Sequence, residues 1–215
     1  MGHLIWLEVE KVNNIKVKGD YILLDKINIK SLENNKSYII SDELLNEEVN
    51  IIIPDNYNVK FYIINYEKDM LKISFTQNND SVLEFVFSVI SNKKINYLIN
   101  NYVKGNNNKT LIKGRIFNDK NADTLVTVNG TIDEGTIGND YTEDIRGLNI
   151  YSNNLEIKPN LIVSTNEVIA NHMVTIGNFD EKQVEYLKEK GISNENIQSL
   201  LLDAFLNNIF PKDMF

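Results

Sequence analysis

The 215-residue sequence has no cysteine, only three prolines and two histidines, and each scarcity excludes some chemistry. Without cysteine there is no structural disulfide, no thiolate nucleophile and no sulfur ligand for a metal. With only His3 and His172 to choose from, a serine-hydrolase triad would have to use His172, and no Gly-x-Ser-x-Gly turn is present to meet it. Basic residues are also in deficit, 22 Lys+Arg against 30 Asp+Glu for a formal net charge of -8. No basic stripe interrupts that balance, which argues against binding a phosphate backbone. Long apolar runs are missing too. The most apolar stretch, Leu83 to Ile90, contains Glu84 and falls well short of the roughly 20 residues a membrane helix needs. The N-terminal run Leu4 to Leu7 has no basic flank and is broken by Glu8 and Glu10, so it does not read as a signal peptide. The expectation is a cytoplasmic protein with no nucleic-acid or membrane partner.

What is present describes an ordinary globular chain, 42% hydrophobic and 24% charged, long enough to bury most of its apolar surface in one core. Asparagine is the commonest residue, and it clusters between short apolar runs: Asn13-Asn14, Asn34-Asn35, Asn78-Asn79, Asn106-Asn107-Asn108 and Asn153-Asn154. Base composition of an AT-rich genome can account for the abundance. The placement marks turns, because asparagine tolerates the left-handed backbone and bonds its own main chain.

Between those turns the chain reads as one short strand after another. The candidates are Tyr21 to Leu24, Tyr38 to Ile40, Val49 to Ile53, Lys60 to Ile64, Leu71 to Phe75, Leu83 to Val89, Ile95 to Ile99, Thr110 to Phe117 and Leu125 to Ile132. Further candidates are Leu148 to Tyr151, Leu155 to Ile157, Leu161 to Ser164 and Glu167 to Ala170. Leu71, Ile73 and Phe75 share one face, as do Val126, Val128, Gly130 and Ile132, which fits half-buried β surfaces. Such spacing suits a sandwich, a barrel or a solenoid, and no strict repeat chooses among them.

The pattern changes after Gly177. Asp180 with Gln183 resembles a capping box, Val184, Tyr186 and Leu187 follow, and Gly191 closes a first helix. Ser193 can cap a second, along which Ile197, Leu200, Leu201, Ala204, Phe205 and Ile209 keep helical spacing until Pro211. Other motifs are weak. Gly130, Gly135 and Gly138 read as a turn, since no Lys-Ser/Thr follows them. Asp140, Glu143, Asp144 and Arg146 read as a solvated loop. Asp119, Asp123 and Asp133 would have to share one groove to serve a β-helix hydrolase.

One stretch is more distinctive. Leu155-Glu156-Ile157-Lys158-Pro159-Asn160-Leu161-Ile162-Val163, then Asn166 through Val168, Ala170 and His172 to Thr175-Ile176-Gly177, then Asp180-Glu181 to Tyr186-Leu187-Lys188-Glu189-Lys190-Gly191-Ile192 resembles the C-terminal signature of the SufB/SufD family. The matching elements are a Pro-x-Leu-x-Ile strand, a Val-x-Ala-x-His turn, a Thr-x-Gly step and a Tyr-Leu helix ending in Gly-Ile. More loosely, Lys113-Gly114-Arg115-Ile116 and Arg146-Gly147-Leu148-Asn149-Ile150 look like the family's β rungs.

The resemblance implies a mainly β fold, a right-handed parallel β-helix over 21–177 followed by a two-helix segment over 178–215. Residues 1–20 would form an N-terminal segment with a candidate edge strand, in place of the family's N-terminal helical domain. The implied role is a scaffold for iron-sulfur cluster assembly, without turnover of its own. It would work with a SufC-type ABC ATPase and with a SufB-type subunit or a second copy of itself. The SufB branch carries cysteines and a His-Glu pair; with no cysteine and Met173 in place of that glutamate the chain looks like the SufD branch, which itself usually has glycine where Met173 stands. No stably bound cofactor is expected, only a transient cluster in the complex. His172 would be the single metal ligand, at a strand end after Asn171 where a side chain leaves the core, unless it is a turn histidine held by hydrogen bonds alone. Tyr186, Leu187, Lys188, Lys190 and Gly191 would contact the ATPase. A β-solenoid interaction module with no metal role is the alternative.

Overall fold

The structure, a computed structural model, describes residues 19–151 and 153–215. The candidate N-terminal edge strand and the Asn13-Asn14 turn lie outside the described residues. Twelve strands are described: β1 Tyr21–Leu24, β2 Lys36–Ile40, β3 Glu48–Ile53, β4 Asn58–Tyr66, β5 Met70–Gln77, β6 Val82–Ser91, β7 Lys94–Val103, β8 Lys109–Asn118, β9 Asp123–Ile132, β10 Asn139–Leu148, β11 Asn154–Val163 and β12 Val168–Gly177. The helices α1, Glu181–Glu189, and α2, Asn194–Asn207, follow.

From β3 onward, consecutive strands go to opposite sheets and each pairs with the strand two places on. The result is a seven-stranded sheet, β1-β2-β4-β6-β8-β10-β12, and a five-stranded one, β11-β9-β7-β5-β3. Every pairing is parallel. This is the parallel solenoid expected from the resemblance, and it excludes the sandwich and the barrel. Asparagine makes the winding feasible. Asn35 and Asn107 turn the chain at φ 59° and 53°. The backbone N–H of Asn79 donates to Asp55 Oδ1, that of Asn106 to Asn79 Oδ1 and that of Ile137 to Asn106 Oδ1, at 2.7, 3.0 and 3.0 Å. Each turn thus satisfies the next, which buried or crowded turn amides require.

Side chains that alternate inward fill the space between the sheets. Tyr38, Phe61, Phe75, Phe85 and Phe87 form a row of rings with centroids 5.0 to 5.4 Å apart. Outside the larger sheet, α2 and the residues after it form a clasp. Leu206 packs with Phe117 and Leu148, and Phe210 and Met214 with Ile39, Tyr62, Ile64 and Val86. Arg115, buried beneath Phe205 with its guanidinium 6.0 Å from the ring, donates to Asp144 Oδ2 at 3.3 Å.

Several expectations need correction. Asp140 to Arg146 is not a solvated loop but most of β10, in which Tyr141, Glu143 and Ile145 point inward and are fully buried. Leu148 ends that strand instead of beginning one, and Asn149 to Tyr151 are turn. Leu155 to Ile157 and Leu161 to Val163 are one strand, β11, running through Pro159. An edge strand tolerates proline because the missing N–H is not needed in the ladder. Gly130 lies within β9, and only Gly135 and Gly138 take turn conformations, at φ 77° and 70°. The apolar stripe of α2 divides: Ile197 and Leu206 are buried, whereas Leu200 and Ala204 are exposed.

Candidate functional site

The last rung, β11 and β12, has a free outer edge on each strand among the described residues, because β12 pairs only with β10 and β11 only with β9. Its inward side chains, Leu155, Leu161, Val168, Ala170 and Val174, are only partly buried against the core below. Ile162, Ile169, Met173 and Ile176 are exposed on the same rung. Ten residues of strand edge flanked by exposed apolar side chains form a template for another chain.

His172 sits on this rung, but not where the sequence placed it. It is the fifth residue of β12, so β12 does not end at Asn171. Alternation from Val168 and Ala170 puts its side chain on the core side, and it is exposed, with no strand above it among the described residues. Its register neighbour below is Glu143.

Glu143 has no exposed surface. Tyr141 Oη donates to Glu143 Oε1 at 2.6 Å, while Oε2 has no hydrogen-bond partner among the described residues. Burial pushes the carboxyl up to about 7 against the pull of the Tyr141 hydrogen bond. Tyr141 is raised well above its ordinary value, by burial first and by the Glu143 charge second. Its hydroxyl reaches so close to β9 that a Cβ on Gly130 would stand 2.5 Å away. The polar seam continues inward, where Thr110 Oγ1 and Asn101 Nδ2 donate to Gln77 Oε1 at 2.6 and 3.0 Å. Outside the smaller sheet runs a second ladder: Asn160 donates to Asn129 at 2.9 Å and Asn129 to Asn100 at 2.8 Å.

The residues expected to contact a partner lie apart from His172 in sequence, on and just after α1. Asp180 caps α1 by accepting from the Lys182 N–H at 2.9 Å, and Gly191 ends the turn at φ 82° as expected. Tyr186 is exposed, with the Lys190 ammonium 5.2 Å from its ring centre. None of the nine helix residues is buried. Between α1 and α2 lies a groove of about 300 Å³ lined by Phe179, Val184, Lys188, Asn194, Ile197 and Gln198.

Asp123 opens β9 and Asp133 follows its last residue, so the ten-residue strand separates them by about 30 Å, and no hydrolase groove forms. Among the described residues no three His, Asp or Glu side chains come together to hold a metal ion, and no helix is long and apolar enough to cross a membrane. Sequence reasoning missed Glu143 and Tyr141. The signal that could have found them is the alternation Tyr141, Glu143, Ile145 beneath the charges.

Comparison with known proteins picks out this end of the chain. Residues 152–205 match the family model described as SUF system FeS cluster assembly, SufBD core domain. An iron-sulfur cluster assembly SufBD family protein of Mycobacterium leprae (strain TN) is 38% identical over 55 residues. That alignment covers 25% of this chain and 14% of the length of the relative. The matched segment contains β11, β12 with His172, α1 and most of α2, and over this quarter of its length the chain is similar to the SufBD core domain.

Proposed function

We propose that the chain is a SufD-like scaffold subunit of an iron-sulfur cluster assembly complex. It docks a SufC-type ATPase through α1 and presents His172 where its last rung meets a SufB-type subunit or a second copy of itself. The observation that carries the reading is the coincidence of the SufBD core match with the uncovered rung bearing His172. The donor set agrees with a shared site. One imidazole without thiolates cannot hold a cluster, so the remaining ligands must come from the partner, and the cluster is cargo that passes through. ATP hydrolysis belongs to the partner ATPase.

The exposed helix α1 suits docking. Tyr186, Leu187, Lys188, Lys190 and Gly191 line its C-terminal turn, and changing them costs little core packing because nothing on the helix is buried. The test is co-purification from the native cell followed by cluster reconstitution. A SufC-like ATPase should co-purify, and His172→Ala should melt normally and hold its partners yet yield little cluster, with His172→Cys restoring it. Full cluster yield in His172→Ala removes the histidine from the site. A partner complex without an ATPase or a cluster points to the interaction module instead.

A further inference from the structure

The buried carboxyl beneath the last rung carries an inference that rests on the His172 reading but goes beyond it. Glu143 is fully buried and its Oε2 has no partner among the described residues, although Oε1 accepts from Tyr141 at 2.6 Å. Buried polar atoms are nearly always paired, so an orphaned carboxylate oxygen needs an explanation. The register supplies one. Glu143 and His172 are cross-strand neighbours in β10 and β12 and share the inward face, with backbones about 4.8 Å apart. The ring above is exposed and has room to turn.

We propose that Glu143 is the positioning residue for His172. Its Oε2 accepts one ring N–H, so that the other ring nitrogen keeps its lone pair and faces out of the open end of the solenoid. A neutral imidazole binds metal through whichever nitrogen lacks the proton, and a hydrogen bond at the other nitrogen decides which that is. Tyr141 completes the arrangement by occupying Oε1 and leaving Oε2 for the ring. The carboxylate lies outside the segment that matches the family model, in the preceding rung, and the fold alone brings it under the histidine.

The test needs no cluster. The full chain is made with ring-labelled ¹⁵N-histidine in a His3→Ala background, which leaves His172 as the sole signal. Ring nitrogen shifts are then read at about pH 8.5, roughly two units above the ordinary imidazole value. One tautomer should exceed the other by at least tenfold in the parent protein and in Tyr141→Phe. The bias should fall to that of a free imidazole in Glu143→Leu, which removes the acceptor without leaving a void. An unbiased mixture in the parent protein overturns the proposal even if the leucine variant does not fold. So does an unchanged ratio in a folded Glu143→Leu protein. Cluster reconstitution separates this claim from the one it rests on. A lost bias with undiminished cluster yield supports the positioning contact while removing His172 from cluster assembly.

Discussion

Burying Glu143 couples folding to pH. The carboxyl titrates near 4.5 when free and near 7 in the folded chain, so between those values the native state holds the extra proton. The contribution of Glu143 to stability is therefore fully present below about 4.5 and is lost as pH rises through about 7, by up to about 3 kcal/mol. Thermal melts at pH 5 and pH 8 should show the native protein losing this increment and Glu143→Gln keeping it; parallel pH profiles would exclude Glu143 as the source. Gly130→Ala tests the same neighbourhood sterically. Its new methyl would stand 2.5 Å from Tyr141 Oη and 2.8 Å from Leu161 Cδ1, an overpacking that should cost about 1 to 3 kcal/mol in urea unfolding. Both residues were noticed in the sequence but misread, Gly130 as part of a turn and Glu143 as part of a solvated loop. A stretch with four charges in seven residues reads as solvated because charged side chains are rarely fully buried. Only the strand pairing shows that Asp144 and Arg146 face outward while Glu143 faces in. The inward alternation of Val168 and Ala170 was legible, but not the continuation of their strand through Thr175 and Ile176, so His172 was expected at a strand end leaving the core and not on the core side of β12.

The two helices hold on by different amounts. No residue of α1 is fully buried, and Tyr186 and Lys190 are both exposed, so Tyr186→Ala combined with Lys190→Glu should leave the melting temperature nearly unchanged, within about 0.5 kcal/mol of stability. The same pair should weaken ATPase binding and stimulation. Retention of both would move the docking site elsewhere. Beyond α2 the chain is held firmly: Phe210 fills the outer face of the large sheet beside Ile39, Tyr62, Ile64 and Val86, and Phe210→Ala should cost about 3 kcal/mol in chemical denaturation. The helix caps at Asp180 and Ser193 and the closing Gly191 were readable from residue type, because capping is local chemistry. The clasp was not. Phe210 and Met214 lie beyond α2 on either side of Pro211, outside any helix, and what they cover is assembled from strands more than a hundred residues earlier. Most strands were likewise readable from alternation and asparagine turns. Their parallel pairing was not, since paired residues lie from 16 apart, as Tyr21 and Ser37, to 31 apart, as Asp123 and Asn154, without a repeated sequence to reveal it. The family resemblance supplied that choice.

The molecule as a whole is a stack in which each rung touches only the next, so its stability is a sum of rung and neighbour contributions. The terminal rung has one neighbour instead of two and presents its edge to solvent. Placing charge there, Ile169→Lys with Met173→Lys, should dissociate the assembled complex in sedimentation while leaving the melting temperature of the free chain within a degree or two, since both side chains are already exposed. An intact complex would mean that the partner sits on another face. The clasp has a further effect on the stack. It binds the outer faces of β2, β4 and β6 through Phe210 and Met214, and β8 and β10 through Leu206, and it stops short of β12. Opening should therefore begin from that end, with backbone amides of β11 and β12 exchanging with heavy water well before those of β4 to β8. A partner laid across the edge would slow exchange there and nowhere else, so the breathing of one rung would report on assembly from within the chain.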